Sequence, residues 1–191
     1  MTLNESNRFN HHKMHDLISD ERESHWDPPR FLSRLGILSG QTVLDLGSGP
    51  GFWTLPLAEI VGQDGTVWAL DVSQEMLDYL TQRKPPSQVR LLRAELPQIE
   101  LPDSSLDLIW AAFVFHEVDP PEKLASEMRR LVNEHGMVAV LEWRPDAVGE
   151  SGPPQPHRLS IEQVTQHLLE AGFKTVTLTW QDDDTYLLEA R

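Results

Sequence analysis

The chain has 191 residues, with 30 acidic against 16 basic side chains and a formal net charge of −14. This length suits one well-packed domain, and so negative a surface disfavours a nucleic-acid substrate or an anionic membrane, because both would be repelled. The absence of cysteine excludes disulfides, thiolate metal sites and thiol catalysis. No apolar run approaches the length of a membrane span, and residues 1–20 lack the apolar segment of a signal peptide, so we expect a cytoplasmic protein.

Residues 1–26 show little hydrophobic periodicity and are predicted to form an N-terminal arm or lid, ahead of a single domain over residues 27–191. Imidazoles favour transition metals, and this arm carries four of the eight histidines: His11, His12, His15 and His25. No carboxylate accompanies them at a metal-binding helix spacing. We therefore predict no metal site and interpret the segment as a polar arm that folds over the active site.

From residue 41 onward, apolar runs alternate with helical patterns. Helices are predicted from Pro28 to Gly36, over 52–61, after the cap Ser73, over 122–132, and from the cap Ser160 to Gly172. Strands are predicted over residues 43–46, 66–70, 89–92, 106–113 and 136–141, with a hairpin of 176–179 and 186–189 at the end. The expected fold class is α/β: a doubly wound, mostly parallel seven-stranded sheet flanked by helices, ending in an antiparallel hairpin.

A glycine-rich turn follows the first predicted strand. The segment 43–51 is a buried apolar strand that ends in Asp45 and leads into glycines at positions 47, 49 and 51. Such a turn lets a ligand approach bare backbone. Dinucleotide folds use G-x-G-x-x-G, but the sixth position here is Phe52. The departure argues against NAD and favours S-adenosylmethionine.

Four motifs in order resemble those of the class I S-adenosylmethionine-dependent methyltransferases, and the resemblance spans nearly the whole chain from Asp27. They are the turn at 43–51, the strand 68–71 that closes on Asp71, the run 93–95 with 101–107, and 130–136 before the fifth strand. In the last motif Glu134 and His135 replace the family's usual proline and first glycine. The tightness of that turn is therefore left open.

The resemblance implies S-adenosylmethionine as the cofactor and a set of residues that bind it. The glycine turn would meet its methionine and ribose portion, Asp45 its amino group, Asp71 the two ribose hydroxyls and Glu95 the adenine amino group. Met76 packs against adenine or belongs to the core. The full predicted set is Asp45, Gly47, Ser48, Gly49, Gly51, Asp71, Val72, Met76, Ala94, Glu95, Leu96 and Ala111.

The segment after the fourth strand is where the family's loop passes beneath the reactive methyl group. His116 is the candidate base or substrate-orienting group, with Glu117 beside it; the alternative is that His116 caps the strand or helps to hold the cofactor. Further candidates for the acceptor pocket are Glu142, Trp143, His157 and Arg158, with Trp26, Phe52 and Trp53 interpreted either as pocket or as core.

The expected function is methyl transfer by in-line displacement to a small-molecule acceptor, with neither nucleic acid nor membrane as partner. One alternative is a protein that binds S-adenosylmethionine or its product without turnover. Another is an NAD-dependent oxidoreductase, which the missing sixth-position glycine disfavours. The fold does not choose the acceptor atom, and the sequence is silent on oligomeric state.

Overall fold

The apolar run after Gln41 forms the first strand of a sheet in a computed structural model, which describes residues 17–148 and 152–191. The sheet has seven strands in the order β3-β2-β1-β4-β5-β7-β6. Their bounds are β1 Thr42–Leu46, β2 Thr66–Asp71, β3 Val89–Arg93, β4 Leu106–Ala112, β5 Val132–Trp143, β6 Val176–Gln181 and β7 Thr185–Ala190. β7 is antiparallel to both of its neighbours, β5 and β6. This confirms the mostly parallel sheet with a terminal hairpin.

Six helices accompany the sheet in the described part of the chain. They are α1 Asp20–Trp26, α2 Pro28–Leu32, α3 Thr54–Val61, α4 Gln74–Gln82, α5 Pro121–Leu131 and α6 Ile161–Glu170. Ser73 and Ser160 cap α4 and α6 as predicted, and Gln163 completes a capping box on α6. None of the helices in the described ranges is long and apolar enough to cross a membrane.

The strand order reverses at β1. The chain builds outward from β1 through β2 to β3, and then returns to place β4 and β5 on the other side. β1 pairs in parallel with both β2 and β4. Ligands of open α/β sheets bind beyond the carboxyl ends of the strands at such a reversal, so this topology positions the site at the ends of β1 and β4.

Side chains of β1 and β4 alternate between two cores, as a sheet covered on both faces requires. Leu44 and Ile109 face a core that α5 and α6 close, while Val43 and Trp110 face a second core that α1, α2 and α3 close. All four side chains are fully buried. The second core is rich in aromatic rings, and it includes Trp26, Phe52 and Trp53; these three are core residues rather than open pocket walls.

The N-terminal part of the described chain is more regular than predicted. α1 is a helix that the sequence analysis missed, because its only buried apolar side chain, Trp26, gives no periodicity to detect. Ile18 and Trp26 pack in the aromatic core. His11, His12 and His15 lie outside the described residues, and the lid function of the arm stays a prediction.

The junction between α5 and β5 also differs from expectation. β5 starts at Val132, directly after α5, rather than at Gly136. Pairing with β4 is interrupted between Val132 and Met137. Within this irregular stretch Asn133 Nδ2 donates to Asp107 Oδ1 at 2.9 Å, which ties the bulge to the sheet. The substituted turn is therefore not tight but a bulge inside the strand.

Candidate active site

A narrow cleft opens at the carboxyl ends of β1, β2 and β4. Four of the predicted cofactor residues line it, together with four further side chains. The lining residues are Gly47, Leu70, Asp71, Val72, Leu96, Val114, Glu117 and Val118. Its place at the strand reversal is where an α/β sheet binds a nucleotide-like ligand, and its walls are mostly apolar, with carboxylates at Asp71 and Glu117.

Gly47, the turn glycine that lines the cleft, has little room for a side chain. Gly47 has φ 72°, and a Cβ there would lie 3.0 Å from Val114 Cγ2. The Ser48 hydroxyl is buried and has no hydrogen-bond partner among the described residues. A bare backbone beside an unsatisfied buried hydroxyl fits a ligand that approaches the main chain closely, as the predicted S-adenosylmethionine would.

Asp45 is almost completely buried at the end of β1. Its Oδ2 accepts a hydrogen bond of 2.5 Å from the hydroxyl of Thr54, the first residue of α3. Burial raises the pKa of Asp45 to about 7; the Thr54 hydrogen bond opposes the rise, and the negative charge of Asp71 adds to it. A nearby cation would favour the ionised form of this carboxyl, and the role of Asp45 toward an amino group stays a prediction.

Asp71 holds the glycine turn together from the end of β2. Oδ2 accepts from the backbone N–H of Gly49 at 2.8 Å, and Oδ1 accepts from that of Ser73 at 2.8 Å. Asp71 therefore organises the turn as well as lining the cleft. The role of Asp71 toward the ribose hydroxyls stays a prediction.

The other predicted cofactor residues lie outside the cleft lining. Ala111 is fully buried in the core, and Met76 is buried on α4. Glu95 is exposed, and with Ala94 it borders an open groove between the β3 loop and α5. Gly51 fits closely against the Leu80 side chain of α4 rather than lining the cleft. These positions shape the site from behind or beside it.

His116 and Glu142 form a buried pair at the ends of β4 and β5. His116 Nδ1 lies 2.9 Å from both carboxylate oxygens of Glu142, and the two side chains are 5% and 0% exposed. Glu142 also accepts from the backbone N–H groups of His116 at 3.2 Å and Trp143 at 3.1 Å. A carboxylate can only accept, so Nδ1 carries the proton and Nε2 is the basic nitrogen.

Electrostatics favour a base at this position. Burial lowers the pKa of His116, but the charge and hydrogen bond of Glu142 outweigh it, and the pKa lies above its usual value. Glu117 adds to the rise and Arg158 opposes it. Glu117, predicted as a catalytic neighbour, lines the cofactor cleft, and its catalytic role stays a prediction.

Two aromatic rings form a wall where β4 and β5 end. Phe113, directly after β4, packs on Trp143 with ring centroids 4.8 Å apart and an interplanar angle of 31°. Its φ of 61° is unusual for a residue with a side chain, and such strain is common at functional sites. Gly152 packs against the Trp143 indole so closely that a Cβ would lie 2.6 Å from Cδ2.

Arg158 supports the loop behind this wall. Its guanidinium lies 5.9 Å from the Trp143 ring and donates to the carbonyl oxygens of Pro153 at 2.9 Å and Arg144 at 3.2 Å. His157 is half-buried in a short 3₁₀ turn of the same loop. In the described part of the chain no cluster of three or more His, Asp or Glu side chains could hold a metal ion.

The sequence analysis missed several residues of the site. Thr54 carries no motif, and its bond to Asp45 depends on where α3 begins. Leu70, Val114 and Val118 line the cleft through ordinary apolar side chains. The pairing of His116 with Glu142 joins residues 26 positions apart, so only the adjacency of β4 and β5 reveals it.

Known proteins with similar sequences indicate which family has a site of this kind. Residues 44–140 match the family described as methyltransferase domain. The chain is 32% identical over 139 residues to the demethylmenaquinone methyltransferase of Lysinibacillus sphaericus, covering 72% of this chain and 59% of that protein. It is also 32% identical over 135 residues to a ubiquinone/menaquinone biosynthesis C-methyltransferase of Azotobacter vinelandii, covering 68% and 53%. The chain thus spans a little over half the length of these curated relatives.

One solved structure matches a larger share of both chains than these relatives do. A SAM-dependent methyltransferase from Aquifex aeolicus superimposes with a TM-score of 0.88 at 31% identity, covering 96% of this chain and 98% of that one. The match covers almost every residue of both chains.

Proposed function

This chain belongs to the methyltransferase domain family of class I enzymes, and from that premise we propose that it methylates a small aromatic hydroxyl compound. The family and the cleft together give S-adenosylmethionine as the cofactor. When bound, this cofactor supplies a methyl group on a sulfonium, which is an excellent leaving group. The protein then has to align the acceptor, exclude water and remove a proton.

The buried pair of His116 and Glu142 carries the proposal. Glu142 holds Nδ1–H, so Nε2 accepts the proton from an acceptor hydroxyl. Loss of that proton turns a phenol into a phenolate, whose oxygen and ortho ring carbon are both nucleophilic. Glu142 stabilises the imidazolium that forms, as a positioning residue. A protein that merely binds the cofactor without turnover has no need of this arrangement.

The aromatic wall and the relatives support the acceptor class. Phe113 and Trp143 bring aromatic rings to the ends of β4 and β5, the two strands whose ends also carry His116 and Glu142, and aromatic rings pack favourably on one another. The names of two relatives, demethylmenaquinone methyltransferase and ubiquinone/menaquinone biosynthesis C-methyltransferase, refer to quinones, which are ring compounds. The net charge of −14 supports a small molecule over nucleic acid or an anionic membrane as partner, and we keep the cytoplasm as the proposed location.

The test is S-adenosylhomocysteine release from S-adenosylmethionine with reduced 1,4-naphthoquinone and catechol as acceptors. His116→Gln should lower kcat by about 10²- to 10⁴-fold and leave S-adenosylhomocysteine affinity unchanged, because Gln cannot take the proton. The exposed His135→Gln is the matched control. Full activity of His116→Gln, or no product from either acceptor, would overturn the proposal.

A further inference from the structure

A partly buried cation packs against the aromatic core, and no carboxylate of the described residues forms an ion pair with it. Arg22 is on α1, where its backbone N–H donates to the Ser19 hydroxyl at 3.2 Å. Its guanidinium lies 4.9 Å from the centroid of the Phe52 ring and 5.7 Å from that of Phe113. Both rings present a face to the positive charge, which is a favourable contact.

The polar edge of this guanidinium is unsatisfied. Nε is buried and has no hydrogen-bond partner among the described residues, and burial lowers the pKa of Arg22 to about 10. By contrast Arg130 pairs with Glu127 and Asp103, and Arg144 pairs with Asp146. Charges withdrawn from water are ordinarily paired, so a cation that pairs with no carboxylate in the described part of the chain calls for another partner.

Arg22 lies between the glycine turn of the predicted cofactor site and the aromatic wall of the predicted acceptor site. Phe52 directly follows the glycine turn that faces the cofactor, and Leu17, just before α1, lies 3.6 Å from where a Cβ of Gly49 would be. Phe113 directly follows β4 and stacks on Trp143 in the acceptor wall. An anion that reaches Arg22 therefore comes from a molecule bound at this junction.

We propose that Arg22 is the anion-binding residue of the active site and that it holds a carboxylate of a bound small molecule. A guanidinium can stack on rings while its N–H groups, in a planar fork, bind a carboxylate. The carboxylate is either that of the cofactor's methionine portion or one carried by the acceptor. This inference rests on the proposed function for the placement of both ligands.

The first arm of the test measures cofactor-side binding by calorimetry. Arg22→Met keeps an apolar side chain against the two rings and removes the charge; Arg22→Gln gives the same readout if the Met variant does not fold. S-adenosylhomocysteine should bind roughly 10- to 100-fold more weakly to the variant. Its decarboxylated analogue should bind both proteins equally, because it has no carboxylate to lose.

The second arm measures acceptor-side binding in protein saturated with S-adenosylhomocysteine. Benzoate should bind more tightly than its uncharged counterpart benzamide, and Arg22→Met should abolish that preference if the carboxylate belongs to the acceptor. The matched control is Arg34→Met, since Arg34 is exposed and lies 5.6 Å from the Phe31 ring. This control should change neither affinity.

A selective loss in either arm supports the proposal and identifies the source of the carboxylate. Unchanged binding in both arms, or equal weakening of S-adenosylhomocysteine and its decarboxylated analogue, overturns it. Neither arm involves methyl transfer. Failure here would therefore leave the role of His116 standing, and failure of the His116 test would leave these affinities unaffected.

Discussion

Two carboxylates of the site illustrate how a single residue's surroundings decide its chemistry. Both carboxylate oxygens of Asp71 accept hydrogen bonds, one from the backbone N–H of Gly49 in the glycine turn and one from that of Ser73, the α4 cap. Glu142 is fully buried and accepts from an imidazole and two backbone N–H groups. Asp71 therefore holds the glycine turn in shape, while Glu142 orients the His116 ring and raises its pKa.

At this residue scale we predict that Glu142→Gln shifts the pH profile of kcat/KM. The wild-type rate should rise with pH through the raised pKa of His116, because only neutral Nε2 accepts a proton. Removing the Glu142 charge lowers that pKa, so the rising limb should move to lower pH. Maximal kcat should also fall, because a Gln amide can hold the wrong tautomer. A limb at the wild-type pH would contradict the assignment of Glu142.

At the scale of elements, the turn between β1 and α3 depends on close packing by α4. Gly51 has φ 89°, and a Cβ added there would collide with Leu80 Cδ1 of α4. The contact fixes the distance between the turn and α4, and the Ser73 cap fixes the start of the same helix. Two neighbouring βα units thus hold the cofactor turn between them.

Gly51→Ala should therefore destabilise the protein more than a glycine replacement made elsewhere. Gly40 is the matched control, with φ 87° and nothing within 4 Å of an added Cβ, so it carries the same backbone strain without the collision. We expect Gly51→Ala to lose about 1–3 kcal/mol more than Gly40→Ala, measured by urea unfolding. Equal losses would show that Leu80 yields without cost.

For the whole molecule, the ionisation of Asp45 links stability to pH. Its folded pKa is about 7 against an ordinary value of 3.8, so between these values the folded protein binds a proton that the unfolded chain does not. The free energy of unfolding is therefore higher at low pH, and it falls as the pH rises toward 7. Asp45 is far from the surface, so solvent does not screen the effect.

Asp45→Asn should remove this pH dependence, because Asn has no proton to lose and can still accept from the Thr54 hydroxyl. Relative to wild type, the variant should gain on the order of 2 kcal/mol between pH 5 and pH 8, measured by urea unfolding at both values. The exposed Asp64→Asn supplies the baseline. A gain no larger than this baseline would mean that Asp45 is ionised in the fold without cost.

Local patterns in the sequence were sufficient for much of the fold. The strands, the caps Ser73 and Ser160, and the terminal hairpin follow from apolar periodicity and turn chemistry, which act between near neighbours. α1 and the bulge at the start of β5 were not predicted, because each depends on contacts with distant parts of the sheet. α1 docks on the aromatic core through Trp26, and the bulge is tied to Asp107.

The sequence by itself determined the family and the cofactor class, since the glycine turn and the acid that closes β2 are contiguous motifs whose spacing carries the information. Only the tertiary structure decided which groups do chemistry together. It joins His116 to Glu142 across adjacent strands, Asp45 to Thr54 across a turn, and Arg22 to Phe113 across the mouth of the site. The physical reason is that strand order, rather than chain order, sets which side chains meet at the carboxyl edge of a sheet.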